Sequence, residues 1–372
     1  MDFLAVVISL LMITALIVVH EFGHFIAAKF YGFQTPVFGI GLPFGPGINL
    51  FHKWGTQFKF YFALIGGFVA IPELGDETDE EMLKEYELKE PLREFPVYQR
   101  AVVASGGIVF NILFAFLLAV VMAGSVGLPK AVPTNAISGF VNGESVAKKA
   151  GLKEGDKILR LNDIEINSAL ELQEAVRATA NQKIILLVDR PNAGATTAFK
   201  VEIDSPGSLG VVLDYEKTYE KFGNNPLVWI WEALRFTSKT LLAMVISIFG
   251  IFSALVHKVI SVFNPDLAPS SMNLGDVKGI VGIVHLISQD IQHNAILLFD
   301  FAILLSLNLA VINLLPIPAL DGGHLVFMAY EGIFGKKACE KFQARAVQIG
   351  FIFLISIILI TTFNDLKNWI FG

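Results

Sequence analysis

Long uncharged apolar runs dominate four stretches of the chain, with little alternation of polar and apolar positions within them. They lie between Asp2 and His20, Ala101 and Pro129, Phe301 and Leu320, and Ala346 and Asn364. Because a helix needs about 20 mostly apolar residues to cross a bilayer, each stretch predicts a transmembrane helix. The alternative for the first stretch is a cleaved signal peptide, but the sequence has neither a basic N-terminus nor a small-residue cleavage site.

A fifth apolar stretch, Thr240 to Val256, has 17 residues and sits at the short limit for a span. Trp229, Trp231 and Lys258 flank it, as is typical of an interfacial helix or a membrane anchor. We expect the segment Trp229 to Phe263 to be interfacial or re-entrant. The expectation follows from the number of membrane crossings that the metal site described below allows.

Two segments have the period-two pattern of strands. From Thr134 to about Asp214 charged residues return, and alternating stretches separated by Gly and Asn predict a soluble insert. Thr56 to Val69 alternates aromatic and polar positions before Gly66 and Gly67, which predicts a strand or a hairpin just after the first span.

The composition supports a membrane protein. Of 372 residues, 54% are hydrophobic and 17% charged, and the mean hydropathy is +0.60. The net charge of −6 and the lack of a basic block exclude a nucleic-acid partner. Cys339 is the only cysteine, so disulfides within the chain and C-x-x-C sites are excluded, and histidines and carboxylates remain as candidate metal ligands.

One motif predicts metal chemistry. His20-Glu21-Phe22-Gly23-His24 is H-E-x-x-H, which on a helix places two imidazoles on one face and a glutamate where it can act as general base. Ionisable groups at the end of an apolar run cost roughly 2.5–3.5 kcal/mol on the insertion scale, so three of them in five positions point to a function. The alternative is an interfacial cluster reaching toward the headgroups.

A catalytic zinc takes three protein ligands as a rule, so a third must be found. His52 is the only nearby candidate, and it has no helical register to the motif. The strongest distant candidate is Asp321, which follows Pro316 and Pro318, where a broken span would line a polar cavity. Two alternatives stay open: Asp321 as an ordinary helix cap, and His324 as the ligand.

These motifs resemble the site-2 protease family of intramembrane zinc metalloproteases, most closely the bacterial branch typified by the regulator of sigma-E protease. The resemblance covers nearly the whole chain. It rests on the H-E-F-G-H motif, Gly66-Gly67-Phe68-Val69, Asn111, an insert with PDZ-like sequence at residues 150–159, and the segment from Asn308 to Gly323. The sequence departs from the family in having room for a single PDZ domain and in having Gly279-Ile280-Val281-Gly282-Ile283 where many relatives have a proline.

The resemblance implies zinc as the cofactor, His20, His24 and Asp321 as its ligands, and Glu21 as the general base. It also implies substrate binding by Asn308 and Asn313, with interhelical hydrogen bonds as the alternative role. For Gly66, Gly67 and Phe68 we expect a strand edge that accepts unwound substrate, or else a purely structural hairpin. The expected partners are the lipid bilayer and single-pass membrane substrates such as an anti-sigma factor or remnant signal peptides. The PDZ-like insert would either bind a peptide carboxyl terminus or act as a spacer.

The fold class predicted from these observations is a polytopic α-helical membrane protein with four spans. Its segments are a first span with the motif (1–31), a membrane-associated β-rich loop with an acidic linker (32–96), a second span (97–129), a PDZ domain (134–215), an interfacial region (220–292), a third span ending in the Leu-Asp-Gly motif (295–320), a cytoplasmic segment (321–345) and a fourth span (346–364). Asp321 can meet His20 and His24 only if residues 240–256 do not cross.

The resemblance places the protein in the bacterial inner membrane. The insert would be periplasmic and the active site would lie near the cytoplasmic face. A zinc-binding transporter or scaffold is the alternative from another class, although the sequence has no inverted repeat typical of transporters.

Overall fold

The computed structural model describes residues 3–74, 93–141, 145–179, 182–190, 196–202, 208–263 and 296–371. The chain forms two compact units. The first, called here the helical unit, comprises Met1–Val126 and Phe222–Gly372, and the second, the insert unit, comprises Gly127–Lys221. Most of the predicted acidic linker lies outside the described residues.

Long apolar helices make up most of the helical unit. They are α1 (Phe3–Tyr31) and α2 (Val97–Ser125), and, in the part of this unit that follows the insert, α5 (Pro226–Phe263), α6 (Ile296–Leu314), α7 (Asp321–Phe334) and α8 (Glu340–Phe371). Within the apolar α1, the hydroxyls of Ser9 and Thr14 donate to the carbonyls four residues earlier. These bonds satisfy polar groups that lipid would leave unpaired.

Five of these helices, all except α7, are long and apolar enough to cross a membrane within the described part of the chain. The protein is therefore a multi-pass membrane protein. The fifth candidate is the segment Pro226–Gly250 of α5, which overlaps the stretch predicted to be interfacial. The prediction of four crossings thus remains a prediction.

A four-stranded sheet follows α1, formed by β1 (Val37–Leu42), β2 (Ile48–Lys53), β3 (Thr56–Phe60) and β4 (Ala63–Val69) in the order β2-β3-β1-β4. Trp54 and Gly55 both have positive φ and close the β2–β3 hairpin, as a type I′ turn requires. The sequence predicted either a strand or a hairpin for residues 56–69, and the prediction of a hairpin between β3 and β4 is wrong. The largely buried strand β1 lies between them, parallel to β3 and antiparallel to β4.

The third predicted span, residues 295–320, is shorter as a helix than expected. Helix α6 ends at Leu314, and α7 begins at Asp321. Pro316 and Pro318 lie in the intervening segment, where they lack backbone N–H donors and where their rings would clash with the carbonyls four residues earlier in a continued helix. The break carries the chain from one helix to the next in six residues, from Leu315 to Leu320.

The insert unit is an α+β body with the elements β5 (Leu128–Phe140), α3 (Val146–Lys149), β6 (Lys157–Leu161), β7 (Ile164–Glu165), α4 (Ala169–Ala178), β8 (Lys183–Asp189), β9 (Thr196–Glu202) and β10 (Val211–Glu220). Its sheet has the strand order β10-β5-β6-β8-β9, and β7 pairs with β6. Apolar residues of this unit, including Ile137, Ile158 and Ile184, form its core. Beside the core, Arg190 pairs with Asp156 at 2.8 Å, and this hydrogen bond lowers the pKa of the Asp156 carboxyl.

Candidate metal centre

Three predicted ligands meet at one point of the helical unit. The Nε2 atoms of His20 and His24 are 3.2 Å apart, and Asp321 Oδ2 lies 3.2 Å from the first and 3.4 Å from the second. Both histidines are buried. Among the described residues this is the one group of three or more candidate ligands.

The spacing of the three atoms fits a small tetrahedral cation. A tetrahedron with bonds of about 2.0–2.1 Å, as in zinc sites with nitrogen and oxygen ligands, has edges of about 3.3–3.4 Å. Asp321 Oδ2 is shielded from solvent and accepts no hydrogen bond among the described residues. Lone pairs of three atoms at these separations repel one another, and a bound cation would turn that repulsion into attraction. The donor set therefore fits zinc.

Helix geometry explains the positions of the ligands. His20 and His24 are one turn apart on α1, with ring centroids separated by 4.8 Å. Asp321 is the first residue of α7, where the helix dipole favours a negative charge. Leu320 occupies the N-cap position and makes no side-chain cap bond, so the alternative of Asp321 as an ordinary cap is wrong.

Helix α7 is held in place by close backbone contacts at its start and by one ion pair near its other end. A Cβ atom on Gly322 would lie 2.5 Å from the Leu314 carbonyl oxygen, so the Gly-Gly pair after Asp321 lets α7 fold back against the end of α6. Near the other end of α7, Glu331 accepts a 2.6 Å hydrogen bond from Arg100 of α2, and both side chains are largely buried.

Glu21 lies beside the ligands and contacts the sheet. Its Oε2 accepts a 3.1 Å hydrogen bond from the backbone N–H of Val69 at the end of β4. A Cβ atom on Gly67 would lie 3.6 Å from Glu21 Cγ, which places β4 directly against the motif. Aromatic packing supports this arrangement, because the Phe25 ring lies 5.6 Å from Phe38 and 5.7 Å from Phe58.

The other predicted site residues divide into those near the centre and those away from it. Asn313 Nδ2 lies 3.4 Å from His20 Nε2. Asn308 lies on the same helix and is half-buried. Phe68 packs on Tyr61 with ring centroids 5.9 Å apart, and Gly66 has φ +142°. His324, the rival ligand, does not join the cluster, nor does the exposed His52.

Sequence reasoning missed the close approach of α2 to the motif. Gly23 of α1 and Gly106 of α2 face each other, and a Cβ atom on Gly106 would lie 2.6 Å from the Gly23 carbonyl oxygen. The Val103 carbonyl, which no side-chain motif reveals, accepts a 2.8 Å hydrogen bond from His24 Nδ1. The run Ser105-Gly106-Gly107 among larger residues was the available signal, since small residues mark close helix contacts in membranes.

We expect Gly106→Ala to destabilise the protein and to weaken metal binding, because α1 and α2 must separate to make room for the methyl group. Overpacking of this kind costs about 1–3 kcal/mol. Thermal unfolding in detergent and measurement of bound zinc would test both effects. Gly250→Ala in α5 is the matched control, since no atom of the described residues lies within 4 Å of the added Cβ. Equal stability of the two variants would contradict the expectation.

The chain is similar to metalloproteases over almost its whole length. The family model described as Peptidase family M50 matches residues 8–357. A Synechocystis protein named as a zinc metalloprotease is 31% identical over 379 residues, which cover 100% of this chain and 97% of the relative. A Nostoc protein with the same kind of name is 31% identical and covers 95% and 93% of the two chains. A chloroplastic membrane metalloprotease of Arabidopsis thaliana is 30% identical and covers 90% and 72%.

Proposed function

The chain belongs to peptidase family M50, and from this premise we propose that it hydrolyses peptide bonds in or near the transmembrane segments of single-pass membrane proteins. It is a site-2-type metalloprotease, and zinc is its cofactor. One observation carries the intramembrane part of the proposal. His24 and His20 lie 7 and 11 residues before the end of α1 at Tyr31, which is about 10 to 16 Å inside the helix end.

His20, His24 and Asp321 are the proposed zinc ligands, on the strength of their three converging atoms. When bound, zinc polarises a carbonyl and lowers the pKa of water to about 7. The hydrogen bond from His24 Nδ1 to the Val103 carbonyl fixes that ring with its Nε2 lone pair directed at the centre.

Glu21 is the proposed general base. Its carboxylate takes the proton that water loses on attack and delivers it to the nitrogen of the leaving amine. The Val69 N–H holds one carboxylate oxygen, and this bond orients the side chain without using both oxygens. Asn313, whose amide nitrogen lies 3.4 Å from His20 Nε2, is the proposed donor to the oxygen that becomes negative in the transition state.

We assign the substrate to the open edge of β4. A helical segment hides its peptide groups in its own hydrogen bonds, so it must unwind before cleavage, and pairing with a strand replaces the bonds it loses. Strand β4 is at the edge of its sheet and contacts the motif through Glu21. Gly66, Gly67 and Phe68 would line this edge, and Asn308 would contact the substrate from α6.

The proposed topology has four crossings, with α5 at the interface and the active site near the cytoplasmic face of a bacterial inner membrane. Contacts within the helical unit support it. Asn313, near the end of α6, and Val103, near the start of α2, both reach the motif. The end of α2 and the start of α6 therefore lie about 25 to 33 Å away, toward the opposite face. The chain between the end of α2 and the start of α6 must therefore cross the membrane an even number of times.

The insert unit is proposed to be a periplasmic PDZ domain. Its mixed composition and separate core suit an aqueous compartment. The Leu209-Gly210-Val211 segment, which resembles the carboxylate-binding loop of PDZ domains, leads into β10 at an edge of the sheet. It would bind a peptide carboxyl terminus or limit the size of substrate ectodomains. Anti-sigma factor-like proteins and remnant signal peptides are the proposed substrates.

The test is cleavage of a defined substrate by the purified full-length protein in detergent or liposomes. We expect a single-pass substrate to be cut in or within a few residues of its transmembrane segment, as located by mass spectrometry. Chelation by 1,10-phenanthroline should stop cleavage, added zinc should restore it, and the non-chelating 1,7 isomer should have no effect. Cleavage that persists after zinc removal, or cuts confined to the aqueous domains of the substrate, would overturn the proposal.

A further inference from the structure

Asn111 is a fully buried polar residue in the middle of α2, beside His20. Its side-chain amide nitrogen lies 3.2 Å from His20 Nδ1, on the side of the ring opposite the converging ligand atoms. Its Oδ1 is buried and has no hydrogen-bond partner among the described residues. An amide oxygen without a partner is costly when it is buried at this depth, so this arrangement needs an explanation.

The state of the His20 ring supplies one. A histidine that offers its Nε2 lone pair to a metal carries its hydrogen on Nδ1, and that N–H needs an acceptor. His24 shows the pattern clearly, because its Nδ1 faces a backbone carbonyl, which can only accept. An amide nitrogen facing Nδ1 of His20 would place two N–H donors against each other, and no hydrogen bond could form between them.

Turning the Asn111 amide by half a revolution removes the donor–donor conflict at His20 and gives the amide oxygen a partner, while the amide nitrogen takes the former place of the oxygen. The oxygen and nitrogen of an asparagine amide exchange places in this rotation, and the hydrogen-bond network decides which orientation holds. After the turn, Oδ1 accepts from His20 Nδ1, and no buried oxygen is left without a partner at this position. We propose that Asn111 is the positioning residue of His20: its amide oxygen fixes which ring nitrogen carries the hydrogen and so directs Nε2 at the metal.

The position of Asn111 is itself secured from a third helix. The Ser306 hydroxyl of α6 donates a 2.8 Å hydrogen bond to the Asn111 backbone carbonyl, and Ser306 is fully buried as well. The contacts from Ser306 to Asn111 and from Asn111 to His20 therefore connect α6, α2 and α1 through one hydrogen-bond network inside the apolar bundle. Hydrogen bonds between helices by Ser and Asn side chains are typical of helix packing in membranes.

The role of Asn111 rests on the proposed function only in that both need the zinc site at His20, His24 and Asp321. Its test therefore needs no substrate. Zinc affinity of the full-length protein in detergent is measured by competition with a fluorescent chelator. We compare Asn111→Leu, which has a similar shape and no acceptor, with Asn111→Asp, which offers only oxygens to His20. We expect the leucine variant to bind zinc 10–100-fold more weakly and the aspartate variant to match the parent chain.

The two variants separate this role from a purely structural one. If the aspartate variant loses as much affinity as the leucine variant, the amide nitrogen is what His20 needs, and the proposal is wrong. Unchanged affinity of the leucine variant would also overturn it. Should that variant fail to fold, the aspartate variant decides by itself: parental affinity supports the proposal, and a loss of tenfold or more refutes it. A parent chain that binds no zinc would instead count against the proposed function.

As a second readout, Co²⁺ replaces zinc and its visible absorption reports the geometry of the ligands. We expect the spectrum of the aspartate variant to match that of the parent chain and the spectrum of the leucine variant to shift. Identical spectra for the leucine variant and the parent chain would contradict a role in orienting His20.

Discussion

Glu21→Gln is expected to abolish peptide cleavage while zinc stays bound. The substitution keeps the length of the side chain and an oxygen that can accept the Val69 N–H, so the contact between α1 and β4 should survive. What it removes is a group that can take up and deliver a proton, and a general base contributes about 10²–10⁴-fold to rate. We therefore expect a loss of at least that order in the cleavage of a single-pass substrate, with the zinc content unchanged.

The measurement pairs cleavage assays with metal analysis of the same preparations. Retained zinc with lost cleavage separates the base from the ligands, since loss of a ligand lowers both. Processing by the glutamine variant at the parental rate would remove Glu21 from the mechanism and would direct attention to other proton acceptors near β4.

Asp321→Ala is expected to deplete the protein of zinc and thereby of activity. Two imidazoles alone leave the cation without its third protein ligand and without the negative charge that offsets its own. Changes to residues behind the ligands already cost 10–100-fold in affinity, so removal of a ligand should cost more than about 100-fold. Chelator competition and metal analysis would measure this loss.

His324→Ala is the matched control for Asp321→Ala. It changes a residue three positions along on α7 that the sequence alone offered as a rival ligand, and it lies outside the cluster. We expect it to keep zinc. Parental zinc affinity in the Asp321 variant, or depletion in the His324 variant alone, would contradict the assignment of the third ligand.

The sequence predicts those parts of this site whose residues lie close together along the chain better than those that lie far apart. His20, Glu21 and His24 fall within five consecutive residues of one helix, and the two histidines are four residues apart, so helix geometry alone brings the two imidazoles together. Asp321 is about 300 residues away. Only the two prolines before it suggested a broken span there, and His324 remained a rival until the two helices were seen together.

Other features depend on pairings that no local pattern contains. The alternation from Phe58 to Val69 predicted strands correctly, but the insertion of β1 between β3 and β4 depends on which strand is most buried. The Val103 carbonyl and the Gly23–Gly106 contact belong to a helix crossing, and backbone groups have no signature in the residue types of a sequence. Helix bounds were clearer, apart from the third span, where the prolines end α6 at Leu314.

If a substrate pairs with β4 as proposed, the hydrogen bond between Val69 and Glu21 would limit how it can lie along the strand. Because Ala70 donates to Val37 of β1, the N–H groups of Val69 and Gly67 both face the outer side of the strand. Glu21 already accepts from Val69, so a guest strand would find its first open donor at Gly67, about 7 Å along. Pairing with this edge would thus fix the number of substrate residues between the hydrogen bond at Gly67 and the bond that is cut. The cleavage point would then depend on position along the substrate chain rather than on side-chain identity.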